Sequence, residues 1–105
     1  MSNLPIHFEE LNWIPAATGI RYKEYIYNDQ RMRLAEFSEG FVEEDWCTKG
    51  HVGLVVEGSM KIDFNGEVVS YQKGDGLWIT EGEASKHKVL MGKGDRALLF
   101  LVETV

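Results

Sequence analysis

Hydrophobic positions fall in short runs with a period of two, and glycine, asparagine and aspartate interrupt each run. The segments "IRYKEYIYN" (Ile20–Asn28) and "RMRLAEFSE" (Arg31–Glu39) alternate and are joined through Asn28-Asp29-Gln30, which predicts a hairpin. "HVGLVVEG" follows, then "SMKIDF", where Met60, Ile62 and Phe64 share one face of a strand. Asn65-Gly66 suits a type I′ turn, because both central positions of that turn need positive φ. "EVVSYQ" returns from it, and "GDGLWIT", "SKHKVLM" and "RALLFLVE" complete the series. Between the 11 glycines no amphipathic helix pattern survives. About seven to nine short strands separated by turn residues predict an all-β antiparallel sandwich or barrel. Pro5 and Pro15 bias Leu4 and Ile14 to extended conformations, so the N-terminal segment reads as loop, short turn or edge strand. The expectation is one domain over 1–105, with an N-terminal extension over 1–19 and the barrel over 20–104.

Composition narrows the classes. A chain of 105 residues builds one core, and 44% hydrophobic with 27% charged residues is ordinary for a globular domain. The net charge of −6 opposes binding to phosphate backbones and to anionic bilayers, so neither nucleic acid nor membrane is an expected partner. The longest purely apolar run is "ALLFLV" (97–102), well short of the ~20 residues of a membrane-spanning helix. The first residues lack a basic start followed by an apolar stretch, and one cysteine cannot form an internal disulfide. A cytoplasmic protein is therefore expected. The turns Lys73-Gly74-Asp75 and Lys93-Gly94-Asp95 echo each other, and Gly-Asp marks turns often enough that no repeat is implied.

Candidate chemistry concentrates in "WCTKGHVGLVVEG". Cys47 stands four residues before His51, and His51, Gly53 and Val55 share a strand face. Gly53 leaves space beside His51, as a pocket wall needs. Cys47 joins that face only if the strand extends through Thr48–Gly50, and a bulge at Gly50 alters the parity. A lone cysteine is more often a small buried hydrophobe than a ligand. His7, in the terminal segment, is not expected in a cavity. A Cys47–His51 nucleophilic pair lacks an orienting third group. Glu43-Glu44-Asp45 offers a ligand or a base, or simply a solvated turn. Trp46 and Trp78 suit a stacking pocket or a core, and Tyr22, Tyr25 and Tyr27 suit an interface. There is no phosphate loop, dinucleotide fingerprint or zinc-finger spacing.

The ordered series of strand, Glu57-Gly58, strand, Asn65-Gly66, strand, Gly74-Asp75, strand, Gly82 and histidine resembles the cupin superfamily over roughly 37–102. The resemblance implies a small jelly-roll barrel, a double-stranded β-helix, in which many relatives hold a divalent metal. It also implies a homodimer. With Glu57-Gly58 in register, His51 occupies the position of the family's usual glutamate ligand. The family's histidine pair is absent, and Glu44, Asp45, Trp46 and Cys47 lie near its place. The family's later histidine position is Ser85, with His87 two residues on and hence one pleat away on the same face.

Two functional readings follow. The first is a small-molecule-binding cupin with a degenerate metal site, in which His51, His87, Trp46, Trp78 and Ser85 line a pocket for a small polar molecule. The second is a metal-dependent isomerase, oxygenase or lyase with the metal on His51 and His87 and with Cys47 or a nearby carboxylate completing the shell. Two imidazoles and a thiolate with an open fourth position suit Zn²⁺ or another of Fe, Mn and Ni. The first reading requires no cofactor.

Overall fold

The structure, a computed structural model, describes residues 3–105, so Met1 and Ser2 of the expected extension lie outside the described residues. Eight strands follow in chain order among the described residues. They are β1 (Ile14–Ala17), β2 (Ile20–Tyr27), β3 (Gln30–Ser38), β4 (His51–Phe64), β5 (Glu67–Gln72), β6 (Gly76–Ile79), β7 (Lys88–Leu90) and β8 (Arg96–Thr104). Short 3₁₀ turns cover Phe8–Glu10 and Glu83–Ser85. No helix among the described residues is long and apolar enough to cross a membrane.

All pairings are antiparallel, and the path runs β1-β2-β3-β8-β4-β5, with β6 and β7 both pairing β4. The hairpin turns form as their residues demand. Asn65 and Gly66 hold φ of 55° and 109°, and the Gly66 amide donates to Asp63 Oδ1 at 2.7 Å. Asn28 takes φ 55°, and the β2–β3 turn shrinks to Asn28-Asp29, with Tyr27 opposite Gln30. β1 pairs with β2, so the sheet begins at Ile14, ahead of the expected barrel start at residue 20.

"HVGLVVEG" and "SMKIDF" form one continuous strand. Val55 faces Leu99 and Glu57 faces Leu98, so Val56 is an extra residue in β4. Inward positions shift from His51, Gly53 and Val55 to Met60, Ile62 and Phe64. The first half of β4 pairs with β6 and β8, the second with β5 and β7. One strand thereby joins two curled sheets. Between them lies a single core of Ala35, Phe37, Val55, Met60, Ile62, Leu77, Ile79, Ala97, Leu99 and Leu101. On the outside Arg96 ties the bulge to β3, with Nη1 3.0 Å from Glu57 and Nη2 2.7 Å from Glu36, and Arg21 reaches Glu36 at 2.6 Å. The Arg21 hydrogen bond, opposed by burial and reinforced by Arg96, holds the Glu36 carboxyl below its usual range.

Gly53 does not open space for a pocket. A Cβ there would collide with the Phe100 carbonyl and come within 2.9 Å of the Leu101 side chain, so glycine is what lets β8 approach β4. Gly53→Ala should cost about 3 kcal/mol by overpacking, whereas Gly76→Ala, whose Cβ would meet nothing nearer than 3.6 Å, should stay within about 0.5 kcal/mol. Urea denaturation of both variants checks this, and equal stabilities would contradict the close approach.

Candidate metal centre

Cys47 reaches the barrel interior without belonging to β4. Its amide donates to the His87 carbonyl at 2.9 Å, and the His87 amide donates back to the Cys47 carbonyl at 3.0 Å. Two residues that exchange both bonds in this way present their side chains on the same side. His51 opens β4 opposite Ile79, and its parity aims it into the same space. One donor atom from each of Cys47, His51 and His87 falls within 4.8 Å of the others. Cys47 Sγ stands 3.8 Å from His51 Nε2, and the two imidazole rings meet edge-on with centroids 5.3 Å apart. His87 is 3% exposed, and the other two are half-buried.

The second nitrogen of each ring is already committed. His87 Nδ1 lies 3.0 Å from the Ser85 carbonyl, which can only accept, so Nδ1 carries the proton and Nε2 the lone pair. His51 Nδ1 lies 2.6 Å from Glu103 Oε2. Burial alone would push the Glu103 carboxyl up, but the His51 hydrogen bond, then Arg33 and Arg31, outweigh it and hold it at about 2. Glu103 is therefore a carboxylate at neutral pH and accepts the His51 Nδ1 proton, leaving Nε2 free toward the cluster. An N–H donated to a carboxylate or backbone carbonyl is what orients metal-ligating histidines.

The donor set fits a metal. Tetrahedral bonds to nitrogen and sulfur place donors about 3.3–3.8 Å apart, and Cys47 Sγ and His51 Nε2 already stand at 3.8 Å. All three residues line a cavity of about 290 Å³ between the sheets. Its wall is mostly apolar, including Phe37, Ile62, Leu77 and Leu101, with Arg31, Arg33, Glu43 and Lys49 as the remaining polar groups.

No family model matches the chain, and no curated protein does. Solved structures do. KdgF from Halomonas sp. superposes with a TM-score of 0.78 at 18% identity, over 99% of this chain and 96% of that one. The polyketide cyclase RemF from Streptomyces resistomycificus gives 0.81 at 18%, over 98% and 80%. A cupin-2 domain containing protein from Shewanella frigidimarina gives 0.64 at 23%, over 80% and 79%. The chain has the cupin fold.

Within this cupin barrel, Cys47, His51 and His87 come together, and the remaining expected pocket residues do not join them. Along β6, Leu77 and Ile79 point inward, so Trp78 projects outward and is 78% exposed. Trp46 lies outside the cavity, where the ammonium groups of Lys88 and Lys86 sit 4.7 and 5.5 Å from its ring centre. The Ser85 hydroxyl pairs with Thr80 at 3.0 Å, also outside the cavity wall, and Ser85 serves the site through its carbonyl instead. The Glu83–Ser85 turn carries the chain past that position and delivers His87 to the cavity. Of the acidic turn, Glu43 lines the cavity, with Oε1 accepting the Val89 amide at 2.7 Å, and Glu44 and Asp45 face solvent.

Sequence reasoning missed Glu103, Arg31 and Arg33. Arg31 Nη2 and Arg33 Nη2 bind the two Glu103 oxygens at 2.8 and 2.7 Å. The signal was parity. Arg31 and Arg33 precede Ala35 and Phe37 on one face, and Glu103 follows Ala97, Leu99 and Leu101 on another. An acid and two bases thus interrupt apolar, inward positions on two strands that pair with each other.

Because Glu103 titrates near 2 in the folded chain against 4.5 when free, its contribution is complete above pH 4.5 and is lost as pH falls toward 2. The amount is about 3 kcal/mol. Urea denaturation from pH 7 to pH 3 should show the native chain losing about 2 kcal/mol of this increment relative to Glu103→Gln. Parallel stability profiles would contradict the assignment.

Proposed function

We propose that the chain is a metal-dependent enzyme acting on a small molecule, with a divalent metal on Cys47, His51 and His87. The observation that carries this reading is the pairing of three clustered donors with two imidazoles whose Nδ1 protons are already held elsewhere. A thiolate with two imidazoles favours Zn²⁺ or Fe²⁺ over Mn²⁺, Mg²⁺ or Ca²⁺. Such an ion supplies Lewis acidity at an open position, polarising a substrate oxygen. A thiolate is readily oxidised, which favours isomerase or lyase chemistry over oxygenation. Glu103 fixes the His51 ring, and Arg31 and Arg33 keep Glu103 ionised. Glu43, anchored through Oε1, keeps its second oxygen for moving a substrate proton. The apolar wall excludes water and receives the body of the substrate. A cysteine that must stay a free thiol suits a reducing compartment such as the cytoplasm.

A metal-free binding module is the second reading. It is favoured by the 3.8 Å Cys47–His51 contact, in which the thiol can donate to Nε2 and satisfy both groups without an ion. Elemental analysis of untagged protein separates the two. About one Zn or Fe per chain is expected, lost in His51→Ala and His87→Ala, with affinity weakened about 10–100-fold in Glu103→Gln. Absence of metal after reconstitution with Zn²⁺ and Fe²⁺ would leave the binding module.

The reading includes a homodimer. Trp78, Val52, Val102, Met32 and Tyr25 face one another in register on the outer side of five adjacent strands, an uncharged row flanked by Leu54, Phe100 and Leu34. Such a patch is the usual centre of an interface. Sedimentation should give twice the 12.0 kDa chain mass, and Trp78→Glu should give the monomer; a native monomer at 100 µM (about 10⁻⁴ M) would argue against the dimer.

A further inference from the structure

We infer that the cavity selects a small organic carboxylate with an apolar body, and that Lys49 reads its charge. The inference rests on the reading of this cavity as a substrate site. A chain of net charge −6 places Arg31, Arg33 and Lys49 on one cavity wall. The carboxylates that balance the two guanidiniums, Glu103 and Glu24, do not line that cavity. Arg33 keeps a further N–H in reserve, since its Nε is buried with no hydrogen-bond partner.

Lys49 differs from both arginines. It is exposed, and no carboxylate among the described residues lies within ion-pair distance of its ammonium group. It stands two residues from Cys47 and two from His51, and it borders both the cavity and the outer depression that shares Arg31 and His51. It is thus a free cation on the rim of the metal cluster. Glu43, the one carboxylate among the described residues that line the cavity, is held by Val89; the outer depression is bordered by Glu103, already bound by Arg31, Arg33 and His51, and by Glu81, neither of them within ion-pair distance of Lys49.

The rest of the wall sets the other half of the ligand. Phe37, Met60, Ile62, Leu77 and Leu99 would desolvate a sugar at a cost but accommodate an aryl or branched alkyl group. An apolar cavity of about 150 Å³ takes benzene, so about 290 Å³ admits an aromatic acid with room for a short side chain.

Isothermal titration with phenylacetate against phenylacetamide, which share a shape and differ in charge, tests this on zinc-loaded and on chelator-treated protein. Phenylacetate should bind at least tenfold more tightly in both states. Lys49→Met should cut the preference to threefold or less, and Lys49→Glu should abolish or reverse it. Equal binding of acid and amide, or binding of neither, would overturn the inference. So would a preference confined to the metal-loaded state and indifferent to Lys49, which would assign the carboxylate to the metal. Competition by inorganic phosphate as strong as by phenylacetate would show a bare anion site and overturn the apolar half. Failure of the metal reading shows separately, in the elemental analysis, and leaves the chelated arm of this experiment intact.

Discussion

The one extra residue in β4 is the constraint on which the rest of the structure depends. A strand has two faces, and a strand that must serve two sheets has to exchange them along its length. Val56 makes that exchange, so that His51 and Val55 before it and Met60 and Ile62 after it all point into one interior. Without the extra residue, one half of β4 would carry its apolar set to solvent. The same device fixes the chemistry, because it lets the strand that opens with His51 close the core with Ile62. Arg96 spans the bulge from outside through Glu57 and Glu36, and Gly58, with φ 75°, passes so close to the Arg96 carbonyl that a side chain would not fit.

A buried carboxylate is ordinarily a burden, since its charge is expensive to desolvate. Glu103, with a 4% exposed side chain, is satisfied by Arg31, Arg33 and His51 together. Three donors around one acceptor turn that cost into orientation. The arginines hold the carboxylate, the carboxylate holds the His51 ring, and the ring presents its free nitrogen to Cys47. On the other side of the cluster the Ser85 carbonyl does the same for His87 with a neutral acceptor. The two ligating rings are thus poised by unlike means, one through an ion-pair network and one through a 3₁₀ turn.

The fold was readable because strands alternate and turns have strict residue requirements. Asn65-Gly66, the parity of Met60, Ile62 and Phe64, and the ordered Gly-Asp turns all survive into the structure. His51 points inward by strand parity, but the shared face expected for Ser85 and His87 does not form, because Glu83–Ser85 is a 3₁₀ turn and not part of a strand. Cys47 was harder, because it arrives by a backbone bridge to His87 rather than along β4, and no local spacing encodes a pairing forty residues away. The tryptophans misled because size and aromaticity say nothing about which face of a strand they occupy. Trp78 shares a strand with Leu77 and Ile79, and only the position of the core decides between them. Glu103 and its arginines were legible in principle, as charges on inward parity, but recognising them required knowing that β3 pairs with β8.

The Cys47–His87 bridge bears on how this cluster would take up an ion. Two backbone hydrogen bonds hold Cys47 and His87 side by side, and Glu103 and Ser85 set the two rings. In small zinc domains the ion organises the chain, so chelation unfolds them. Here backbone pairing and the second hydrogen bond of each ring position the three side chains that would hold an ion. On the proposed reading, an ion at this cluster would be exchangeable within the folded chain, without unfolding or resynthesis.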